Sequence, residues 1–296
     1  MPDLTGYPVM TTRRELDWIN ISVLSAVHLL AAGGVVWSVF NFSWATIALA
    51  FVWFALCGLG ITGGYHRLFS HPTYEAAAWL RWVYLVFGAA SVQNSALKWS
   101  SDHRVHHSKV DRDEDPYNIR RGFWWAHIGW ILVKGDRPIE RVKDLEADPL
   151  VMWQHRNYVL LAVVFGALIP MGIGALWGDA IGALLIAGFL RLALQYHATF
   201  AVNSLAHYLG SQPYDTTTSA RDSFVTALVT LGEGYHNFHH RFQNDYRNGV
   251  RGWQLDPTKW FVWTMSKVGV TRNLRRTPQE KIDAALAARR AQRSAA

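Results

Sequence analysis

Four stretches of this chain alternate with polar segments and carry almost no charge: roughly 18–40, 43–64, 158–177 and 180–202. Each holds about 20 residues, the length a helix needs to cross ~30 Å of hydrocarbon. Asn41-Phe42-Ser43 separates the first two, and Gly178-Asp179 separates the second two. The pattern predicts two helical hairpins, each closed by a tight turn. A fifth apolar segment, residues 76–96, carries Arg81, Gln93 and Asn94. It predicts an interfacial or folded-back element, with Trp79, Trp82 and Tyr84 suited to the headgroup region.

Charge orients these spans. Of 29 Lys and Arg, two precede the first span, thirteen lie between the second and third, and thirteen follow the fourth. Only Arg191 falls inside a span, and the two hairpin turns have none. The positive-inside rule then puts both termini and the long middle segment in the cytoplasm, as for a multi-pass protein of a bacterial inner membrane. The same asymmetry accounts for the net charge of +7, and no nucleic-acid-binding module accompanies it. Cys57 is the one cysteine, which excludes an intramolecular disulfide framework. The first seventeen residues are polar and lack the apolar core of a cleavable signal. The expected fold is therefore an all-α integral membrane protein of one domain, residues 1–296. Four transmembrane helices would carry a cytosolic helical cap, about 65–157 and 203–276. A basic tail, 277–296, would lie on the membrane surface or fray into solvent.

Nine of the thirteen histidines concentrate in polar segments beside the spans. They form His66-x4-His71, His103-x2-His106-His107 and His236-x2-His239-His240, with His207 in Asn203-Ser-Leu-Ala-His207. Positions i, i+3 and i+4 share a helix face, so each triplet points one way, as do Asn203 and His207. His66 and His71 diverge by about 140° on an ideal helix, so one of them must sit at a helix end or bend inward. Clustered imidazoles are costly to bury or protonate without a cation. Nine exceed the four ligands of one structural zinc, so two ions are the economical reading. Imidazole suits iron, zinc, copper and nickel alike. His28, His127, His155 and His197 are expected to be interfacial polar residues.

At these boxes the chain resembles the integral-membrane fatty acyl desaturases, most closely the acyl-CoA Δ9 (stearoyl-CoA type) branch. The resemblance runs over roughly residues 15–265. It rests on Gly60-Ile-Thr-Gly-Gly-Tyr-His-Arg-Leu-Phe-Ser-His71, Asp102-His-Arg-Val-His-His107, Asp115-Pro-Tyr-Asn-Ile-Arg-Arg-Gly122 and Gly232-Glu-Gly-Tyr-His-Asn-Phe-His-His240. It implies two Fe2+ ions and O2 as co-substrate. One iron would take His66, His71, His103, His107 and His239. The other would take His106, His207, His236 and His240, with Asn203 acting through a water. The implied reaction removes two hydrogens from adjacent methylenes of a saturated acyl chain and leaves a cis double bond. Asn20, Asn94, Asp102 and Lys134 would hold the acyl carrier, with Phe200 near the acyl entry and Phe54 and Gly58 at the closed end of the tunnel.

Ser101 and Gly135 stand where the family has basic residues, which keeps acyl-lipid and acyl-carrier-protein thioesters beside acyl-CoA as substrates. A related di-iron alkane or fatty acid hydroxylase is the nearest rival. A metal transporter fits less well, because the nine histidines avoid the centres of the spans. No haem, flavin or iron–sulfur motif is present, so electrons would come from a separate carrier such as ferredoxin, rubredoxin or cytochrome b5. Arg104, Lys109, Arg241 and Arg247 would steer an acidic partner.

Overall fold

A computed structural model describes residues 15–135 and 137–295. The polar leader, residues 1–14, lies outside the described residues, and with it most of the segment from which the absence of a signal was read.

Helices α1 (Trp18–Phe40), α2 (Trp44–Ser70), α7 (Tyr158–Ala175) and α8 (Ala180–Tyr208) are each long and apolar enough to cross a membrane. Polar caps set where they start. Asp17 accepts from the Asn20 N–H at 3.0 Å, Ser43 from Thr46 at 3.3 Å and Asp179 from Gly182 at 3.0 Å. Gly178, with φ +80°, makes the second hairpin turn. The two hairpins are tied near these turns, where Trp37 Nε1 donates to Asp179 at 3.2 Å and Trp177 Nε1 to Thr46 Oγ1 at 3.1 Å. Leu29, Phe51, Val159 and Leu168 are exposed along the spans, as lipid-facing residues must be.

Two spans outrun their apolar stretches. Helix α2 continues to Ser70, and its last eleven residues, Gly60–Ser70, wind as a π-helix. Helix α8 continues to Tyr208 with an offset at Ser204. Arg191, deep in α8, is buried without a carboxylate. Its guanidinium donates to the carbonyls of Ala90 at 3.0 Å, Gly166 at 3.1 Å and Ala187 at 3.1 Å. Gly166 and Ala187 lie in π-wound turns of α7 and α8, where the regular ladder is interrupted. The charge in the apolar part of α8 therefore satisfies backbone groups that lipid could not.

The fifth apolar segment folds as α3 (Ala78–Ala89), twelve residues and only about 18 Å long. It packs against α2 and α7 and does not span. Trp79 and Trp82 are exposed, but Tyr84, grouped with them in the sequence, is 2% exposed and bonds Tyr74. The reason is local. A β-carbon on Gly64 would come within 2.6 Å of the Tyr84 Cβ, so the paired glycines 63 and 64 let the tyrosine close against the π-wound segment.

The remaining helices build the cap: α4 (Ala96–Lys109), α5 (Phe123–His127), α6 (Pro149–Arg156), α9 (Phe224–Val229), α10 (His236–Arg241), α11 (Pro257–Lys267) and α12 (Gln279–Ser294). Its core joins Tyr65, Leu68, Phe69, Leu85 and Leu97. Among the described residues one short ribbon, β1 (Glu75–Ala76) against β2 (Thr271–Arg272), ties the start of α3 to the end of the cap. The basic tail does not fray through its described residues. It forms α12, with Ile282 1% exposed and Arg289 Nε donating to the Gln212 carbonyl at 3.2 Å.

Candidate metal centre and acyl cavity

Box one lies on the π-wound end of α2. The His71 N–H donates to the His66 carbonyl at 3.2 Å, an i to i+5 bond. Five residues thus complete about one turn, and both rings face the same side with centroids 5.1 Å apart. The 140° divergence is removed by the winding, and His71 sits at the helix end. Box two lies on α4 and box three on α10, with i, i+3, i+4 spacing in each.

The structure gathers all nine side chains into two groups. His66, His71, His103, His107 and His239 bring one nitrogen each within 4.8 Å of one another, and His106, His207, His236 and His240 do the same. Helices α4 and α10 each supply both groups, and the rings of His107 and His240 stack between them at 4.3 Å. The facing nitrogens are Nε2 atoms: His66–His239 at 3.0 Å, His71–His103 at 2.8 Å, His107–His239 at 2.9 Å, His236–His240 at 3.0 Å and His106–His240 at 3.3 Å.

These spacings fit a shared cation. Two imidazoles bonded to one ion at about 2.0–2.1 Å, about 90–105° apart, have nitrogens roughly 2.9–3.3 Å from each other. Protein hydrogen bonds alone do not account for the arrangement. His66 Nδ1 is 2.8 Å from a Glu233 oxygen and His106 Nδ1 is 2.9 Å from an Asp115 oxygen. A carboxylate accepts, so both rings carry the proton on Nδ1 and turn a bare Nε2 inward. His239 Nε2 meets two other ring nitrogens and has at most one proton to share. Burial, reinforced by neighbouring imidazoles, holds His71, His103, His107, His236, His239 and His240 well below the usual histidine range, so they are neutral donors at pH 7. The donor set is all imidazole, which suits a transition metal and not calcium or magnesium.

Glu233 was missed by the spacing argument. Burial alone would raise its carboxyl; the Arg67 guanidinium at 2.8 Å, with His66, overrides burial and holds the group down at about 2. Arg67 also meets Asp256 at 3.0 Å. The only sequence signal was the neighbouring Gly-Glu-Gly.

Next to the histidines lies a cavity of about 590 Å³. Asn20, Asn94, Asp102, Phe200 and Asn203 line it, and so do Phe54 and Gly58. Lys134 does not line it; that lysine is exposed and pairs with Glu15 at 2.6 Å, while Arg137 contributes to the cavity wall. Trp99, Thr199 and Leu231, none of them marked by the sequence, also line the cavity, as does Gln93. Gln93 Nε2 donates to Thr199 Oγ1 at 3.0 Å across it, joining the segment after α3 to α8.

The other four histidines stay outside both groups. Three of them form a chain of their own. His28 Nε2 meets His197 Nε2 at 3.0 Å, and His197 Nδ1 meets His127 Nε2 at 3.0 Å. His155 bonds Ser95 at 2.7 Å. The four basic residues expected to steer a partner are each paired: Arg104 with Asp144 at 2.6 Å, Lys109 with Glu114 at 3.0 Å, Arg247 with Asp245 at 2.8 Å and Arg241 with Asp215 at 4.0 Å.

The profile of the Fatty acid desaturase family matches residues 42–271. The chain is 46% identical over 273 residues to a probable acyl-CoA desaturase of Schizosaccharomyces pombe, covering 91% of this chain and 57% of that protein. It is 41% identical to acyl-CoA desaturase 1 of Saccharomyces cerevisiae, covering 92% and 54%. It is 37% identical to stearoyl-CoA desaturase 5 of Bos taurus, covering 92% and 83%. The chain thus spans little more than half the length of the two yeast relatives. All three relatives are eukaryotic and lend no support to a bacterial membrane. The profile match and these identities, together with four membrane-length helices and a histidine cluster able to hold metal, show that this chain belongs to the fatty acid desaturase family of integral membrane proteins.

Proposed function

We propose that this protein is an oxygen-dependent Δ9 desaturase of long-chain acyl-CoA, with iron in both histidine groups. One observation carries the reading: two groups of inward-turned imidazoles stand beside a cavity of about 590 Å³ whose walls are largely apolar. The names of the relatives, acyl-CoA and stearoyl-CoA desaturases, supply the substrate class.

When bound, the metal pair supplies the oxidation of an unactivated methylene, which no side chain performs. Overall, a saturated acyl chain, O2, two electrons and two protons yield a cis-monounsaturated chain and two waters. The protein positions and protects. His66, His71, His103, His107 and His239 would hold one ion; His106, His207, His236 and His240 would hold the other, with Asn203 reaching it through water. Glu233 and Asp115 orient His66 and His106. Asn20, Asn94, Asp102 and Arg137 line the cavity where a polar carrier would be held, and Phe54 and Gly58 line it where an acyl chain would end. Burial raises the Asp102 carboxyl despite Lys98 beside it, and the lysine pairs with it at the cavity wall. Electrons come from a one-electron carrier of the ferredoxin, rubredoxin or cytochrome b5 kind. The basic flanks of the spans support a topology with both termini and the metal centre on the cytoplasmic side.

Fatty acid profiling tests this directly. Cells expressing the protein should accumulate a monounsaturated acid that disappears with His239→Ala. A hydroxylated product instead would replace desaturation with the rival chemistry, and an unchanged profile in both would defeat the proposal.

A further inference from the structure

A second support for the four-histidine group runs through residues far from its ligands in sequence. His207 Nδ1 meets Ser219 Oγ at 2.7 Å. The same hydroxyl bonds Asp111 Oδ1, and the Ser219 N–H donates to Asp111 Oδ2 at 2.7 Å. Asp111 is buried, with its backbone at φ +63°. Its N–H donates to Asp115 Oδ2 at 3.1 Å, and Asp115 Oδ1 is the atom that meets His106. The segment 111–115 therefore stands behind two of the four histidines at once, directly at His106 and through Ser219 at His207.

The direction of each bond follows from the donors available. A carboxylate accepts only, so the Ser219 O–H points at Asp111. The serine oxygen is left to accept, so His207 carries its proton on Nδ1. His207 Nε2 then holds a bare lone pair. That atom is buried and has no hydrogen-bond partner among the described residues, and it belongs to the four-nitrogen group.

We propose that Asp111 and Ser219 are positioning residues that fix the tautomer of His207 and so set how tightly the four-histidine group holds its ion, independently of the five-histidine group. The inference rests on the metal reading above. Asp111 adopts the left-handed backbone that aspartate and asparagine tolerate best, which aims its carboxylate back at Ser219. Through this link the segment after α4 and the segment before α9 act together on one ligand.

The test is Fe2+ loading of the purified, metal-stripped protein, followed by iron counting and 57Fe Mössbauer spectra, with thermal unfolding of the metal-free forms alongside. Wild type should hold two ions. Ser219→Ala should hold one of them 10–100-fold more weakly, the range for loss of an orienting partner, while the other keeps its wild-type spectrum. Ser219→Thr, which retains the hydroxyl, should restore both. Asp111→Asn keeps the backbone preference but frees the hydroxyl to turn, and should weaken the same ion. Two ions held at wild-type affinity in both Ser219→Ala and Asp111→Asn would overturn the inference and leave the metal reading intact. Equal loss of both ions would overturn it as well, because that is what a merely structural role gives. A wild type that takes up no iron would remove the metal reading itself, and the inference with it.

Discussion

Leu231 is packed so closely on Gly58 that a β-carbon on the glycine would lie 2.4 Å from the leucine Cδ1. Both line the cavity. Leu231 holds a left-handed backbone, φ +55°, rare for a branched side chain. The pair joins the middle of α2 to the turn before box three and narrows the cavity there.

If this contact closes the acyl tunnel, its size sets chain length. Leu231→Ala and Phe54→Ala should shift the product profile toward longer acyl chains, and Gly58→Ala toward shorter ones by pushing Leu231 inward. Gas chromatography of whole-cell fatty acids reads the shift. Unchanged selectivity in all three would mean that these residues serve packing alone.

Glu233 bridges His66 and Arg67 in a buried site. Replacing it with Ala strands the guanidinium with Asp256 and leaves His66 Nδ1 without its acceptor. Breaking a buried pair in this way costs about 3–5 kcal/mol, and loss of an orienting carboxylate costs roughly 10–100-fold in metal affinity. Thermal unfolding and metal titration of Glu233→Ala should show both effects; a wild-type melting temperature would show that the pair is dispensable.

Metal-free protein should lose stability in acid. His71, His103, His107, His236, His239 and His240 are held below their ordinary value by burial, while in the unfolded chain each titrates near ~6.5. Below that pH the unfolded state binds more protons, so stability is complete above about pH 6.5 and falls as pH drops beneath it. Melting temperatures in detergent at about pH 5, 6, 7 and 8 check the sign. A flat curve would mean that the rings gain protons in the folded state as easily as in the unfolded one.

Metal removal should act in the same direction at neutral pH. An ion bound only by the folded state stabilises it by about 2.7 kcal/mol at a free concentration of 100 times Kd. Chelation should lower the melting temperature of wild type, with recovery on adding Fe2+, and should leave a variant with alanine at His66, His106 and His239 unmoved.

Arg191 carries its own prediction. Its fork reaches three carbonyls on three segments. Lysine offers a point charge on a flexible stem and cannot repeat that geometry. Arg191→Lys should cost about 1.5–3 kcal/mol, the worth of a lost hydrogen bond to a charged group. Unfolding in detergent measures it.

Much of the architecture was legible along the chain. Hydropathy marked the spans because a lipid-crossing helix must be apolar over its whole length, and that property belongs to contiguous residues. The i, i+3, i+4 spacing of two boxes marked their shared faces for the same reason, since a helix repeats locally. Arg191 stood out as a charge where lipid forbids one, although its carbonyl partners did not.

What the tertiary structure decided lies where distant segments meet. The π-wound segment that turns His66 and His71 to one side packs through Gly63 and Gly64 against Tyr84, a contact between separate helices. Lys134 and Arg137 are equally basic in sequence, and only the fold puts Arg137 on the cavity wall. Leu231 meets Gly58, and Ser219 meets Asp111, across more than a hundred residues. No local pattern encodes such contacts, because they arise only when separate elements have been brought together by burial.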